Sequence, residues 1–522
     1  MSRTVDASAA RRALAQRLRA AGAVLSEQRL PEPDPDPVRD AAVVLDLLVR
    51  QVHADLTADR VWLLYVAVSS CLPTGDDLLA VRRQFELSTV ADSIIWLLDS
   101  CMAAARGGAP ARELRVVTDG VVVDVDHSAQ HDLHTGIQQV VRNTVPRWAR
   151  HHDIVLVAWM PGCGAHRALS TAEHERILRW GDSRSRAGPR RRAENTAELP
   201  IVVPWRGRLI LAEVPPVAAC ERLAALGQYS GNQLSAIGYD CIPIVSADMM
   251  PIAEPNRFAR YLTVIKYSHR VVGISASATA EFRGFADTLP VQGLAGPAVV
   301  ECGLPTEGIT DLAADPPVAV ADAAPADAAP AADDRVPTIL SVGSFEPRKN
   351  QLALLYAAER LWRAGMLFRL RLIGGSGWGR ELPQRVVALQ AKGYPLSVET
   401  GIGTAQLAAA YRGARFTVFA SLHEGYGLPV AESLAFGVPV ITSNYGSTRE
   451  IGEHRGTVLI DPRDDEALVA SMRELLADDD RLAALRTEIG DAPARSWDDY
   501  ADEAWVCLVA PDGSPPTATE SQ

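Results

Sequence analysis

Residues 421–441 read Ser421-Leu-His-Glu424-Gly-Tyr-Gly427-Leu-Pro429-Val-Ala-Glu432-Ser-Leu-Ala-Phe-Gly437-Val-Pro439-Val-Ile441. Two carboxylates, Glu424 and Glu432, stand eight residues apart, the first in a glycine-rich loop and the second just inside a short helix. The apolar run 415–420 before them reads as a buried strand, and the run 438–442 after them reads as the next strand. Pro429 fits a first helical turn, and Gly437 fits a helix end. A strand, loop, helix and strand in so short a span belong to a parallel α/β sheet, whose strands need a crossover between them. Ligands of such sheets bind at the carboxyl ends of the strands, which is where Glu424 falls. Gly425 and Gly427 leave room for a ligand to approach the backbone closely. The plainer alternative is that both carboxylates are solvated and only complement a helix dipole.

At 522 residues the chain is too long for one ordinary core, and two or three domains are expected. Its 48% hydrophobic content supplies material for those cores. A net charge of −12 argues against a nucleic-acid partner, which calls for a basic face, although local clusters of Arg and Lys can still take an anionic ligand. The seven cysteines, at positions 71, 101, 163, 220, 241, 302 and 507, include no C-x-x-C pair. That scatter fits neither a disulfide framework nor a zinc site, so a reducing cytosol is the expected setting. No apolar leader follows Met1, and the longest apolar stretch, 61–72, is shorter than the roughly 20 residues that span a bilayer. A soluble, cytoplasmic protein is expected, compatible with peripheral attachment to a membrane that bears a lipid-linked acceptor.

Composition divides the chain into five stretches. Residues 1–113 read as a helical extension, broken by Pro-Glu-Pro-Asp-Pro-Asp-Pro at 31–37, with no functional motif; packing on the next domain or oligomerisation is its expected use. Residues 114–312 alternate strands, such as 121–125, 154–159, 209–212 and 271–275, with helices, one of them running from Thr135-Gly136-Ile137 to Val145. That alternation means a doubly wound domain. Within it, Ser183 to Arg192 is rich in Arg, Ser and Gly and reads as a mobile surface loop. Residues 313–335 are almost only Ala, Pro, Asp and Val, which bury too little to fold, and read as a disordered linker. Residues 336–495 form a second α/β domain, and 496–522 a final helix, Trp497 to Val509, with a disordered tail.

Further motifs sit at strand ends. The strand 339–342 runs into Gly343-Ser-Phe-Glu346-Pro-Arg348-Lys349-Asn350, whose basic pair is either an anion clamp or ordinary surface charge. The run Gly374-Gly375-Ser-Gly377-Trp378-Gly379 misses the G-x-G-x-x-G spacing of a dinucleotide loop, and Trp378 is as readily core as ligand contact. Glu450 opens the question of a helix cap or a pocket wall. Asp124-Val-Asp126 imitates a metal-holding D-x-D, and His127, His131 and His134 crowd the same loop, but their irregular spacing forms no recognised ligand set.

Taken together, these residues resemble the E-x7-E signature of retaining glycosyltransferases of family four. Their fold, GT-B, sets two Rossmann-like doubly wound domains across a cleft. The resemblance covers roughly residues 116–510 and is tightest in the second domain. It implies a hexosyltransferase that moves sugar from a nucleotide-sugar donor to an acceptor hydroxyl in polysaccharide, glycolipid or glycoconjugate synthesis. The implied reaction retains anomeric configuration by a front-side displacement and uses neither metal nor bound cofactor, so the D-x-D is set aside.

The resemblance also assigns roles. Arg348 and Lys349 clamp the diphosphate, where fixed cations offset the charge that grows on the leaving group. Glu424 contacts the donor sugar and completes the catalytic set, while Glu432 accepts from the ribose. Gly343, Gly374, Gly425, Tyr426, Gly427, Leu428 and Glu450 line the donor pocket. Gly136, at a helix N-terminus, and Asp240, in Tyr239-Asp240-Cys-Ile-Pro243, face the acceptor. Two departures stand out: Gln139 replaces an Arg usual in relatives, and Ser246-Ala-Asp248 replaces a frequent His-Pro-Glu. The wording of the second-domain motifs is most like mannosyl- or rhamnosyl-transferring members, with GDP-mannose the first donor and a sugar, lipid-linked or small-molecule acceptor. The rivals are a GT-B nucleotide-sugar epimerase and a non-catalytic nucleotide-sugar-binding scaffold. Glu424→Ala is expected to abolish turnover and leave folding intact.

Overall fold

Helix-forming runs with their own caps open the chain: Ala7–Leu25, Pro37–Ala54, Ala58–Ser69, Gly75–Leu87 and Val90–Ala105. Asp36 caps the second, with Pro37 in its first turn, and Thr74 and Asp77 form a reciprocal capping box on the fourth. In this computed structural model the described residues are 7–105, 109–132, 135–180, 196–305, 336–375, 377–490 and 495–509. The expected loop 183–192, the linker 313–335, His134 and the tail from Pro511 lie outside the described residues. The helix Ala58–Ser69 is buried on every side from Val61 onward, so the other helices wrap it. Buried Arg17 donates to the carbonyls of Ala67, Pro110 and Arg112, tying this bundle to the segment that enters the first sheet. One hydrophobic core runs through both, from Leu18 and Trp62 to Val122 and Leu209.

Among the described residues the first sheet has nine strands: β1 (Leu114–Val117), β2 (Val121–Asp124), β3 (Ile154–Trp159), β4 (His166–Ala168), β5 (Ile201–Pro204), β6 (Arg208–Leu211), β7 (Gln233–Gly238), β8 (Arg270–Gly273) and β9 (Ala298–Glu301). Their order is β1-β5-β4-β3-β2-β6-β7-β8-β9. All pairings are parallel except those of β4, which runs antiparallel to both neighbours. The second sheet has, among the described residues, six strands: β10 (Thr338–Val342), β11 (Arg369–Ile373), β12 (Leu396–Glu399), β13 (Phe416–Phe419), β14 (Val440–Ser443) and β15 (Thr457–Ile460). It is wholly parallel, in the order β12-β11-β10-β13-β14-β15. The order reverses between β10 and β13, which opens a crevice at their carboxyl ends.

The helix Trp497–Val509 returns to the first unit: Trp148 Nε1 donates to the Ala501 carbonyl at 2.8 Å, and Ser235 Oγ to that of Leu508 at 3.0 Å. This two-unit α/β arrangement is the GT-B architecture that the motifs implied. No helix among the described residues is long and apolar enough to cross a membrane.

Candidate active site at the seam between the sheets

Two loops meet at the crevice of the second sheet. The chain leaves β10 through Gly343 (φ +151°), makes a short turn over Pro347–Lys349, and enters the helix Gln351–Arg363 through Asn350 at φ +55°. The loop after β13 carries residues 421–427 into the helix Leu428–Ala435. Their backbones are stitched by Leu422 N donating to the Arg348 carbonyl at 2.7 Å. Arg348 Nη1 and Lys349 Nζ then donate to the two oxygens of Glu424 at 3.0 and 2.6 Å, and Ser421 Oγ adds a third bond at 2.5 Å. Arg348 Nε also donates to Glu346 at 2.8 Å, and its Nη1 to the His423 carbonyl at 3.1 Å. Burial alone would raise the Glu424 pKa, but the charges and hydrogen bonds of Lys349 and Arg348 hold it down at about 2. Burial lowers the Lys349 pKa, and Glu424 only partly opposes it. For Arg348 burial is outweighed by Glu424 and Glu346, and the net direction is upward.

Glu432 does not join that cluster through any bond. It is buried in the helix Leu428–Ala435, where Tyr411 Oη donates to it at 2.7 Å, and burial pushes its carboxyl up to about 7. The ring of Tyr411 stacks on Phe436 at 5.3 Å, so the flank of Glu432 is apolar.

The glycines stand where backbone meets backbone. A Cβ on Gly374 would stand 1.8 Å from the Gly343 carbonyl oxygen, and one on Gly377 1.7 Å from that of Phe345. The glycine-rich run is therefore required for loop-on-loop backbone packing. Beside Glu424, a Cβ on Gly425 would stand 2.5 Å from the Tyr239 carbonyl oxygen of the first unit. The position a side chain would take at Gly425 is thus occupied by the opposing domain. Gly427 (φ +109°) faces Thr448. Trp378 is not core: it is 40% exposed, and its indole N–H donates across the seam to the Met249 carbonyl at 3.2 Å.

The first unit presses onto this site at several points. Gly136, first residue of the helix Gly136–His151, lies against Leu428, with room for a Cβ only 3.3 Å from Leu428 Cδ1. The Asp240 carboxyl abuts Gly425 and accepts from Ile242 N at 3.1 Å; burial, opposed by Arg348, raises its pKa to about 6. Tyr426 Oη bonds the carbonyls of Leu304 and Pro305, both at 2.9 Å. Glu450 does not cap its own helix, Gly446–Gly452. Its carboxylate accepts from Ala276 N and Ser277 N at 2.9 Å each, capping the helix Ala276–Ala286 of the first unit. Sequence reasoning missed His423, whose Nε2 lies 2.6 Å from Glu281 Oε1 and whose Nδ1 lies 2.7 Å from Ser246 Oγ. Glu281 lies 142 residues away, so no local spacing signals the pair.

At the matching crevice of the first sheet, Asp124 takes bonds from Trp159 Nε1 and His166 at 2.9 and 3.2 Å, while Asp126 accepts from Trp159 N at 2.7 Å. Glu213, another group that sequence reasoning missed, accepts from His127 N at 2.8 Å, and burial raises it to about 7. These carboxylates are satisfied by protein donors, and no group of three or more His, Cys, Asp and Glu among the described residues could hold a metal ion. Two open hollows of about 590 and 530 Å3 lie against the helix Asp465–Ala477 and are lined by none of the clamp residues.

Residues 324–491 match the family described as Glycosyl transferases group 1. The chain is 33% identical over 161 residues to the O-antigen chain mannosyltransferase B of Escherichia coli, covering 30% of this chain and 42% of that protein. It is 25% identical over 366 residues to the serotype-specific mannosyltransferase WbdA of Escherichia coli, covering 64% of this chain and 39% of that one. The chain thus spans about two fifths of the length of these curated relatives. Among solved structures, the sucrose-phosphate synthase of Thermosynechococcus elongatus is similar at 15% identity and a TM-score of 0.48, over 74% of this chain and 96% of that one.

Proposed function

We propose that this chain, whose residues 324–491 match the glycosyl transferases group 1 family, transfers a hexose from a nucleotide sugar to an acceptor hydroxyl. One observation carries the reading. Two part-buried cations from the loop after β10 and a carboxylate from the loop after β13 converge where the strand order reverses. Cations there suit a diphosphate, and Glu424 beside them suits the sugar hydroxyls.

In the proposed reaction, Arg348 and Lys349 take the diphosphate, whose charge grows as the anomeric bond breaks. Arg348 offers a planar fork and Lys349 a compact charge. Glu424, released from the cations by the incoming phosphates, orients the sugar, and Glu432 with Tyr411 beneath it accepts from the ribose. Front-side attack lets the leaving phosphate take the acceptor proton, so anomeric configuration is retained with no side-chain nucleophile. Two fixed cations at the leaving group make a metal unnecessary in this scheme. Asp240 and Gly136, on the opposing unit, face the acceptor, and closure over the donor limits its hydrolysis. The names of the two relatives favour a mannosyl donor, and GDP-mannose is the first to test, with a sugar, lipid-linked or small-molecule acceptor. The reading assumes a reducing compartment, in keeping with seven free thiols.

Incubating the full chain with a panel of nucleotide sugars and following nucleoside diphosphate release tests this. Slow release from one donor, accelerated by an acceptor, is expected. Binding without release would leave a nucleotide-sugar-binding scaffold instead.

A further inference from the structure

We infer that His423 is a positioning residue, the joint through which the first unit, on closing over the second, fixes the clamp formed by Arg348 and Glu424. The inference rests on the reading of Arg348 and Lys349 as a diphosphate clamp. Both ring nitrogens of His423 are held by the first unit, Nε2 by Glu281 and Nδ1 by Ser246. The same residue's carbonyl accepts from Arg348 Nη1, and Glu424 is its chain neighbour. The path also closes on itself. The second oxygen of Glu281 accepts from Cys241 N at 2.5 Å, and Cys241 follows Asp240, which abuts Gly425. A ring held at both nitrogens cannot turn without breaking a bond across the seam. Separating the units therefore frees the loop that orients Arg348 and Glu424.

The joint is sensitive to protons. Four charged groups face it: Glu281 from the helix Ala276–Ala286, Asp240 from the segment after β7, Glu424 from its own loop, and Arg348, bonded to its carbonyl. Burial favours a neutral ring, but the hydrogen bond and charge of Glu281, then Asp240 and Glu424, outweigh it and raise the pKa above the ordinary 6.5. A raised value means that the closing contribution is fully present below about 6.5 and is lost as pH rises through the higher value. The clamp is tightest when His423 is charged.

Small-angle scattering of the full chain, with UDP or GDP as probe at about pH 6 and about pH 9, tests the joint. The wild type is expected to be compact at the lower pH and to expand at the higher one. His423→Ala should be expanded at both. His423→Gln, which keeps a donor toward Glu281 but no charge, should match the wild type at the higher pH and show no change with pH. In turnover of the preferred donor, His423→Ala should lose about tenfold in kcat, with the Kd of the nucleoside diphosphate changed by less than about threefold, and His423→Gln should regain part of the loss. A variant as compact as wild type with the same pH profile overturns the inference, as does a loss lying wholly in nucleotide affinity. If the wild type turns over no nucleotide sugar, the clamp reading fails, and scattering still decides whether His423 joins the units. Circular dichroism melts confirm that both variants fold, and Glu281→Gln should reproduce the lost pH dependence.

Discussion

Glu424 was legible from its spacing to Glu432 and from the glycines beside it, but what it does to the protein without donor was not. It neutralises two part-buried cations at once, so removing it strands Lys349 and leaves Arg348 only Glu346. Breaking a buried ion pair from one side costs on the order of 3–5 kcal/mol, so Glu424→Ala should lower the urea midpoint as well as abolish turnover. This revises the expectation that folding would be untouched. Adding UDP or GDP should restore stability to Glu424→Ala more than to the wild type, because phosphate oxygens replace the missing carboxylate. With a pKa held near 2, Glu424 contributes stability above its ordinary 4.5 that is lost as pH falls toward 2, and Glu424→Ala should lack that acid-side decline. Glu432 has the opposite sign. Raised to about 7, it stabilises below 4.5 and loses that contribution as pH rises through 7. Glu432→Gln should therefore be more stable than wild type at about pH 8, by roughly 1–3 kcal/mol, while binding nucleoside diphosphate more weakly. Equal midpoints at that pH would contradict the burial assigned to it.

At the scale of elements, the run 415–442 announced its strand, loop, helix and strand through apolar runs, Pro429 and Gly437. The packing partners of the glycines were not legible, because a sequence records that backbone must approach something, not what that something is. Gly374 and Gly377 meet the loop after β10, and Gly425 meets the other domain. The consequences of substitution differ accordingly. Gly374→Ala overpacks the second unit from within and should cost about 1–3 kcal/mol of its stability. Gly425→Ala overpacks only the seam. It should leave the melting temperature close to wild type while expanding the molecule in scattering and reducing turnover. If Gly425→Ala instead melts early and stays compact, the seam is not where its side chain collides. Glu450 teaches the same lesson: a carboxylate at a helix start reads as that helix's cap, yet it caps a helix 174 residues away in the chain.

For the whole molecule, the alternation of strands and helices was sufficient to foresee two α/β units, and the order β12-β11-β10-β13-β14-β15 put the clamp at a strand-order reversal. The antiparallel β4 and the bonds across the seam were not legible, because they join residues far apart with no periodic signature. The extension before β1 was expected to pack on the next domain or to oligomerise, and Arg17 and the shared core do bind it to the first sheet. Every feature of the site then depends on whether the cations of the loop after β10 hold a diphosphate. The most direct measurement is calorimetric titration of UDP and GDP into the full chain and into Arg348→Gln. Charge-assisted hydrogen bonds are worth about 1.5–3 kcal/mol, so the account expects one nucleotide to bind the wild type and to bind the variant about 10–100-fold more weakly. Equal affinity in the two proteins, or no binding of either nucleotide to the wild type, would contradict it.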